Sequence, residues 1–217
     1  MNNSRHRLLH ISRCRGITRR TIRYFYRFDP TLKNIYLLSS NELSQLFSLP
    51  IHQARIFHSD LHNYHTIRQL EEHLLRFTAI TIVDENYPGV LKQIKDPPIV
   101  LYAWGDVSLL RYSPALSVIG TRHPSSGAKE KMEYIMTPLL KHNFLIVSGM
   151  AKGIDSFAHQ ITLNDHGRTI AVLGSGFYHV YPKQNEKLFY KISEKGLLIS
   201  EYPPHIPPAK YHFPERN

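Results

Sequence analysis

Four short apolar runs recur at nearly regular intervals in the second half of the chain. They begin at positions 116, 144, 169 and 197, which are 28, 25 and 28 residues apart. Apolar runs of this length bounded by turn residues are typical of buried strands. Between the first two runs, a set of apolar residues follows the spacing of one helical face: Met132, Ile135, Met136, Leu139 and Leu140. The alternation predicts an α/β fold in which parallel strands are joined by right-handed crossovers, with helices on both faces of the sheet.

The first 78 residues have helical rather than strand-like spacing. Apolar residues recur irregularly on both sides of Gly16, which predicts two short helices joined by a tight turn at 15–18. Further helices are predicted at about 42–47 and 65–77. The β-branched run 79–83 and the turn-rich segment 84–89 then change the character of the sequence. We therefore expect a small all-helical domain at 1–78 and an α/β domain at 79–217.

Positive charge is concentrated at the start of the chain. The 27 Lys and Arg residues exceed the 17 Asp and Glu residues by ten. Of this excess, +7 lies in the first 30 residues, which hold eight arginines and one acid, Asp29. Such a segment either binds phosphates without regard to sequence or forms a solvated basic helix without a partner, and charge alone favours neither. Charge also does not distinguish DNA, RNA and acidic lipid as partners.

Composition and motifs exclude several classes of protein. Apolar residues make up 42% and charged residues 20% of the chain, as in globular rather than disordered proteins. The longest apolar runs are far shorter than the roughly 18 residues of a membrane span, and the one cysteine, Cys14, forms no internal disulfide. We expect a cytoplasmic protein without a membrane partner. A complete G-x-G-x-x-G, a P-loop and an H-E-x-x-H motif are missing, so we expect no cofactor and no metal.

The loops after the first two strands have the composition of an anion site. The first contains Gly120, Thr121 and Arg122 and leads into a predicted helix. Glycine permits close backbone approach, a helix N-terminus presents free N–H groups, and a guanidinium is a forked donor to phosphate oxygens. Alternatively, Arg122 pairs with an acidic side chain at the sheet edge. The second loop has four candidate residues, of which the lysine is a second phosphate contact: Ser148, Gly149, Lys152 and Gly153.

The loops after the other two strands leave a second function open. Segment 174–176 places two glycines as in a dinucleotide fingerprint, but the third required position is His179, so the fingerprint fails. Glu201 follows the last strand, where nucleotide-binding folds often place a ribose-binding acid. A protein that binds or cleaves a small nucleotide therefore remains an alternative. The closing segment 210–217 interleaves basic and aromatic residues, which favours unpaired nucleic acid over duplex.

Five motifs along the chain occur in the order found in a known family. They are Val118-Ile-Gly-Thr-Arg-His-Pro124, Ile146-Val-Ser-Gly-Met-Ala-Lys-Gly-Ile-Asp155, Thr169-Ile-Ala-Val-Leu-Gly-Ser-Gly176, Gly196-Leu-Leu-Ile-Ser-Glu-Tyr-Pro203 and Phe213-Pro-Glu-Arg-Asn217. Together they resemble the DNA-processing protein A family (DprA, also called Smf). The resemblance implies an extended Rossmann-like domain, preceded by helices similar to a sterile alpha motif or a helix-hairpin-helix domain.

The resemblance also implies a function. Members of this family serve natural transformation: they bind and protect single-stranded DNA with little sequence preference, hand it to the RecA recombinase, and catalyse no reaction. The family's phosphate-binding positions match eight residues here: Gly120, Thr121, Arg122, Ser148, Gly149, Gly153, Lys210 and Phe213. Members continue past the last motif with more of the sheet and a homodimer surface. We therefore expect the Rossmann-like domain of this chain to be incomplete at its C-terminus and to expose apolar surface.

Overall fold

The fold consists of two compact units. The computed structural model describes residues 3–216; the first unit ends at Leu101 and the second begins at Tyr102. Position 79, where the sequence predicts a domain boundary, is where helices give way to a strand inside the first unit, and as a domain boundary it stays a prediction. Within the described residues, no helix is long and apolar enough to cross a membrane.

The first unit is mainly helical. Its elements are α1 (Ser4–Ile11), α2 (Arg19–Phe28), a 3₁₀ helix (Asn34–Leu37), α3 (Ser40–Phe47), α4 (Ile51–Leu61), α5 (Tyr64–Leu74), β1 (Thr78–Thr81) and α6 (Gly89–Lys92). Apolar side chains at helical spacing form its core, which includes Leu8, Leu43, Phe57 and Leu70. The predicted turn between α1 and α2 is present, and Gly16 adopts a φ of 86° against the carbonyl of Gln53, where a side chain has no room.

Most arginines of the first 30 residues are held by partners in the same unit. The guanidinium of Arg5 donates to both carboxylate oxygens of Asp84 at 2.9 Å. Arg15 donates three hydrogen bonds to the Asp60 carboxylate, and these hold the pKa of Asp60 below its usual range. Four more have partners in this unit: Arg7, Arg13, Arg19 and Arg23. The arginine-rich start is therefore largely a set of structural ties.

The second unit is a sheet with flanking helices. Its elements are β2 (Val100–Gly105, which begins just before the boundary), a 3₁₀ helix (Val107–Arg111), β3 (Ala115–Ser117), α7 (Ala128–Lys141), β4 (Leu145–Ser148), α8 (Ile154–Asn164), β5 (Thr169–Leu173), a 3₁₀ helix (Lys183–Asn185), α9 (Glu186–Lys195), β6 (Leu197–Ser200) and α10 (His212–Arg216). The strand order of the sheet is β1-β2-β6-β5-β4-β3.

The four strands predicted from the apolar runs are present and parallel. β3 pairs with β4, β4 with β5, and β5 with β6. β2, which the runs did not predict, is antiparallel to β6, with Tyr102 opposite Ser200. α7, α8 and α9 pack side by side and α10 contacts β5, so the predicted α/β class with flanking helices is confirmed. Because parallel strands end at one edge of a sheet, the loops after β3, β4 and β5 meet there.

The β3 edge of the sheet exposes apolar side chains. All three residues of β3 are exposed. Ile119 just after the strand is 80% exposed, and Tyr134 and Ile135 on α7 are exposed as well. Exposed apolar area was expected here, whereas the incompleteness of the domain stays a prediction.

Two of the fourteen histidines show how the cores use this residue. His159 is buried in the second unit with Nδ1 2.7 Å from Thr169 Oγ1, and burial lowers its pKa to about 3. His10 is buried in the first unit with Nδ1 2.9 Å from the Tyr36 hydroxyl, and burial lowers its pKa to about 4. Both are therefore neutral at physiological pH. Across residues 3–216, no three His, Cys, Asp or Glu side chains are grouped as metal ligands.

Candidate nucleic-acid interface

Two side-chain hydrogen bonds hold the loop after β4 in place. Ser148 Oγ donates to the carbonyl of Val118 at 2.7 Å, which ties the end of β4 to the exit of β3. Asn185 Nδ2 donates to the carbonyl of Met150 at 2.9 Å. Met150 has a φ of 60°, a conformation that residues other than glycine adopt only when their surroundings stabilise it. The loop is therefore fixed before any ligand arrives.

The loops after β3 and β4 pack directly against each other. A Cβ atom on Gly120 would come within 2.6 Å of the Ile154 side chain. Gly153 has a φ of 77°, and a Cβ atom there would overlap the carbonyl oxygen of Thr121. The same carbonyl accepts a hydrogen bond from the Ile154 N–H at 3.2 Å. Both glycines are required because each lets one loop approach the backbone or side chains of the other.

α10 brings a third segment to the same edge. Arg216 Nη1 donates to the carbonyl of Gly149 at 2.5 Å and to that of Val172 at 3.2 Å. The ring of Phe213 lies beside Gly174, where a Cβ atom would be 2.8 Å from the ring. These contacts join the chain's closing segment to the loops after β4 and β5.

The three segments enclose a pocket of about 240 Å³. It is lined by Arg122, His123, Gly149, Ala151, Lys152, Leu173, Gly174, Tyr181, Pro182, Phe213 and Arg216. None of these residues is acidic. The guanidinium of Arg122 lies 5.8 Å from the centre of the Phe213 ring, and the ring centres of Tyr181 and Phe213 are 5.3 Å apart. The pocket therefore combines cations with aromatic rings, as sites for phosphates and stacked bases do.

The cations in the pocket affect each other. Burial lowers the pKa of Arg216 below that of an exposed guanidinium, Asp155 raises it, and the charge of Arg122 lowers it further. Arginine nevertheless stays protonated in proteins. An anion in the pocket would offset the repulsion between the two guanidinium groups, so the electrostatics of the pocket favour a negatively charged ligand.

The structure brings some of the predicted site residues together and uses others as supports. Arg122, Gly149, Lys152 and Phe213 line the pocket. Four others shape the loops through the contacts described above: Gly120, Thr121, Ser148 and Gly153. Lys210 is exposed, does not line the pocket, and lies three residues before Phe213. As phosphate contacts, all nine stay predictions.

Sequence reasoning did not nominate Arg216 as a site residue. Its position within the closing motif was the available signal, but nothing local indicates that its guanidinium reaches the carbonyl of Gly149. Asp155 was interpreted as a helix-start residue, and it does lie in the first turn of α8. There it also accepts a hydrogen bond from the Ala151 N–H at 3.3 Å, which supports the loop after β4. Asn217, the last residue of the motif, lies outside the described residues.

Comparison with known proteins identifies the family. The sequence profile of the DNA recombination-mediator protein A family matches residues 78–217, which include every loop of the pocket. The chain belongs to this family. It is 40% identical over 139 residues to the DNA processing protein DprA of Bacillus subtilis and 39% identical over 148 residues to that of Streptococcus pneumoniae. These alignments cover 64% and 68% of this chain but 47% and 52% of the relatives, so the chain spans about half of their length.

Solved structures of family members have a similar fold. DNA processing protein A from Streptococcus pneumoniae matches with a TM-score of 0.69 and 31% identity, over 92% of this chain and 73% of that one. The protein from Helicobacter pylori matches with a TM-score of 0.57 and 30% identity, over 65% and 62%. That relative is described as having a unique single-stranded DNA binding mode. The predicted family and its Rossmann-like fold are confirmed.

Proposed function

We propose that the chain binds single-stranded DNA, with little sequence preference, in the pocket at the ends of β3, β4 and β5. The observation that carries the proposal is the pocket's composition of three Arg or Lys side chains, two aromatic rings and no acid. Phosphates would contact Arg122, Lys152 and Arg216, and bases would stack on the rings of Tyr181 and Phe213. The single-stranded DNA binding mode described for the Helicobacter pylori relative supports this assignment.

The supporting loops have a role in the same proposal. The close packing at Gly120 and Gly153 and the ties from Ser148 keep the backbone near the strand, where its N–H groups would add hydrogen bonds to phosphate. Lys210 would contact the strand outside the pocket. Glu201, on which the nucleotide-cleaving alternative rests, does not line the pocket, so we favour strand binding.

Binding of oligo-dT as a function of salt concentration tests the proposal. Arg122→Ala is expected to reduce the slope of log K against log salt by about 0.7, the value for one phosphate contact on a single strand. The loss should be the same for all base sequences, because a phosphate contact carries no base information. Affinity that is independent of salt, or equal for duplex DNA, would contradict single-strand binding.

Lys131→Ala is the matched control for Arg122→Ala. Lys131 is exposed on α7 in the same unit and does not line the pocket, so this variant removes one positive charge at a different place. We expect its salt slope to equal that of the wild type. If both variants lose the same affinity, net charge rather than the pocket is responsible, and the site assignment fails.

We also propose that the bound strand is protected and passed to RecA, that the protein forms a homodimer, and that it catalyses no reaction. The family to which residues 78–217 belong supports this role. Adding the chain to RecA and oligo-dT should accelerate filament assembly, measured as RecA ATPase activity. Unchanged assembly would restrict the function to strand binding. Sedimentation equilibrium measures the oligomeric state, and a monomer at all concentrations would contradict the homodimer.

A further inference from the structure

A second basic pocket lies within the first unit. Its volume is about 410 Å³, in the range of pockets that hold small ligands. It is lined by Leu8, Arg23, Tyr26, Arg27, Ile82, Val83, Lys92, Ile94, Lys95, Pro97 and Ile99. Four of these residues are cations and none is acidic. The pocket draws on three separate parts of the chain, namely the start of the arginine-rich segment with α2, the turn after β1, and residues 92–99.

Three of the four cations are available to an anion. Arg27, Lys92 and Lys95 are exposed, and none of them has an acidic partner among residues 3–216. Arg23 has a different role, because it donates to the carbonyl of Pro97 at 2.9 Å and pairs with the carboxylate just before it. Arg23 thus ties α2 to the 96–97 segment and shapes the pocket that the other three cations surround.

The rest of the lining suits a planar ring. Ile99 is buried, Ile82 and Val83 are half-buried, and Tyr26 adds a half-buried aromatic side chain from α2. Apolar surface beside a tyrosine ring is what a nucleobase stacks on, and three cations beside it match a phosphate group. Membrane binding would instead need apolar side chains that protrude beside the cations, whereas these residues line a concavity.

We propose that this pocket binds one nucleotide unit, with the phosphate at Arg27, Lys92 and Lys95 and the base against Tyr26 and the apolar lining. The nucleotide comes either from a nucleic-acid strand or from a free mononucleotide, since both present the same phosphate and base. The proposal concerns the first unit and is independent of the pocket at Arg122. It assigns a role to the part of the arginine-rich start that the structural ties leave over.

Nitrogen-15 NMR titration of the full chain tests the proposal with three probes: dTMP, short oligo-dT and inorganic phosphate. We expect the amide signals of Tyr26, Arg27, Lys92 and Lys95 to shift with a nucleotide. Shifts with dTMP would identify a free nucleotide as sufficient, and shifts with oligo-dT alone would identify the strand. No shift with either probe would overturn the proposal. Equal shifts with inorganic phosphate at the same concentration would also overturn it, because the base would then contribute nothing.

The double variant Lys92→Ala/Lys95→Ala and a matched control make the test specific. Both lysines are exposed, so the fold should be retained. The variant should abolish the shift at Tyr26, and if the ligand is a strand it should lower the salt slope by about 1.4, the value for two contacts. Lys33→Ala/Arg55→Ala removes the same charge from exposed positions of the same unit outside the pocket, and it should change neither result. Equal losses in both double variants would refute the site.

Two further measurements separate this proposal from its rivals. In an Arg122→Ala background, the shift at Tyr26 should persist with dTMP, so a failure of strand binding at the other pocket leaves this result readable. Loss of the shift in that background would overturn an independent site. Flotation with phosphatidylglycerol vesicles that depends on Lys92 and Lys95, without any nucleotide shift, would replace the nucleotide with a membrane surface.

Discussion

The two units of this protein carry positive charge in different ways. The first unit begins with a segment that has an excess of +7, yet most of its arginines are engaged, as Arg5 is by Asp84 and Arg15 by Asp60. The second unit places only a few cations at its pocket, but no acid lines that pocket. The comparison teaches that the place of a cation in the fold, rather than the local density of charge, decides whether an anion can use it.

The architecture of each unit explains the difference. Helices in the first unit present side chains all around their axes, so acids from distant segments reach and pair with the arginines. In the second unit the parallel strands end at one edge, where loops of small residues meet and N–H groups point outward. A cation such as Arg122 at that edge faces an open concavity instead of a neighbouring helix.

The largest expected effect is on the packing of the two loops in the second unit. Gly153→Ala should lower the free energy of unfolding by about 3 kcal/mol, because the backbone conformation costs roughly 1–3 kcal/mol for other residues and the overlap with Thr121 adds to it. Urea denaturation measures the change. Gly127→Ala is the matched control: Gly127 has a φ of −86° and open space around its Cβ position. A similar loss in both variants would show that the close approach at Gly153 is unimportant.

Acid should destabilise the cores of both units through their neutral histidines. The depressed pKa values of His10 and His159, about 4 and about 3, mean that each stabilisation is full above the unfolded-state pKa and decreases as the pH falls toward the folded-state value. Each histidine should cost about 2 kcal/mol between about pH 7 and pH 5. Denaturation curves at both pH values should show a smaller loss in His10→Gln and in His159→Asn than in the wild type. The exposed His142→Gln is the control, and a pH dependence equal in all four proteins would refute the assignment.

A smaller effect is expected from one of the arginine ties of the first unit. Asp60→Ala removes the acceptor of three hydrogen bonds from Arg15 and should lower the thermal midpoint by about 2–4 °C. Because Arg15 holds the pKa of Asp60 below its usual range, this stabilisation is present above about pH 4 and is lost as the pH falls further. The control Glu72→Ala breaks the exposed pair with Arg68 and should leave the midpoint unchanged. Equal midpoints for Asp60→Ala and wild type would show that the tie is not structural.

The smallest effect is expected at Lys210. This residue is exposed and does not line the pocket, so Lys210→Ala should weaken oligo-dT binding by less than about fivefold, as expected for a solvated charge. Arg122→Ala, measured in the same salt series, should weaken it more. A larger loss at Lys210 would move the strand out of the pocket and toward the closing segment.

Local patterns predicted the strands well because apolar runs between turns are local features. The run 169–173 has the bounds of β5, and the other predicted strands begin or end one or two residues away from the observed ones. α4 was not predicted because exposed Ile51 and Ile56 obscure its buried face. β2 was not predicted because its apolar residues follow a proline-rich turn and its partner, β6, lies almost a hundred residues later.

The candidate site was predictable where residue types alone carry the chemistry. Arg122 and Lys152 were nominated because cations after parallel strands suit phosphate, and both line the pocket. Arg216 was not nominated, since its contact with Gly149 spans 67 residues of sequence. Gly120 and Gly153 were nominated as binding residues, but their observed contacts are with the neighbouring loop.

The amino-acid sequence by itself determined which segments form parallel strands, and hence that their following loops share one edge of the sheet, since periodicity and turn residues act over a few positions. Tertiary structure alone decided which cations remain open to a ligand. Arg5 meets its acid 79 positions away and Arg15 meets its acid 45 positions away, whereas Arg27, Lys92 and Lys95 gather around a pocket without one. Charge pairing over such separations depends on how the elements pack, which no local pattern contains.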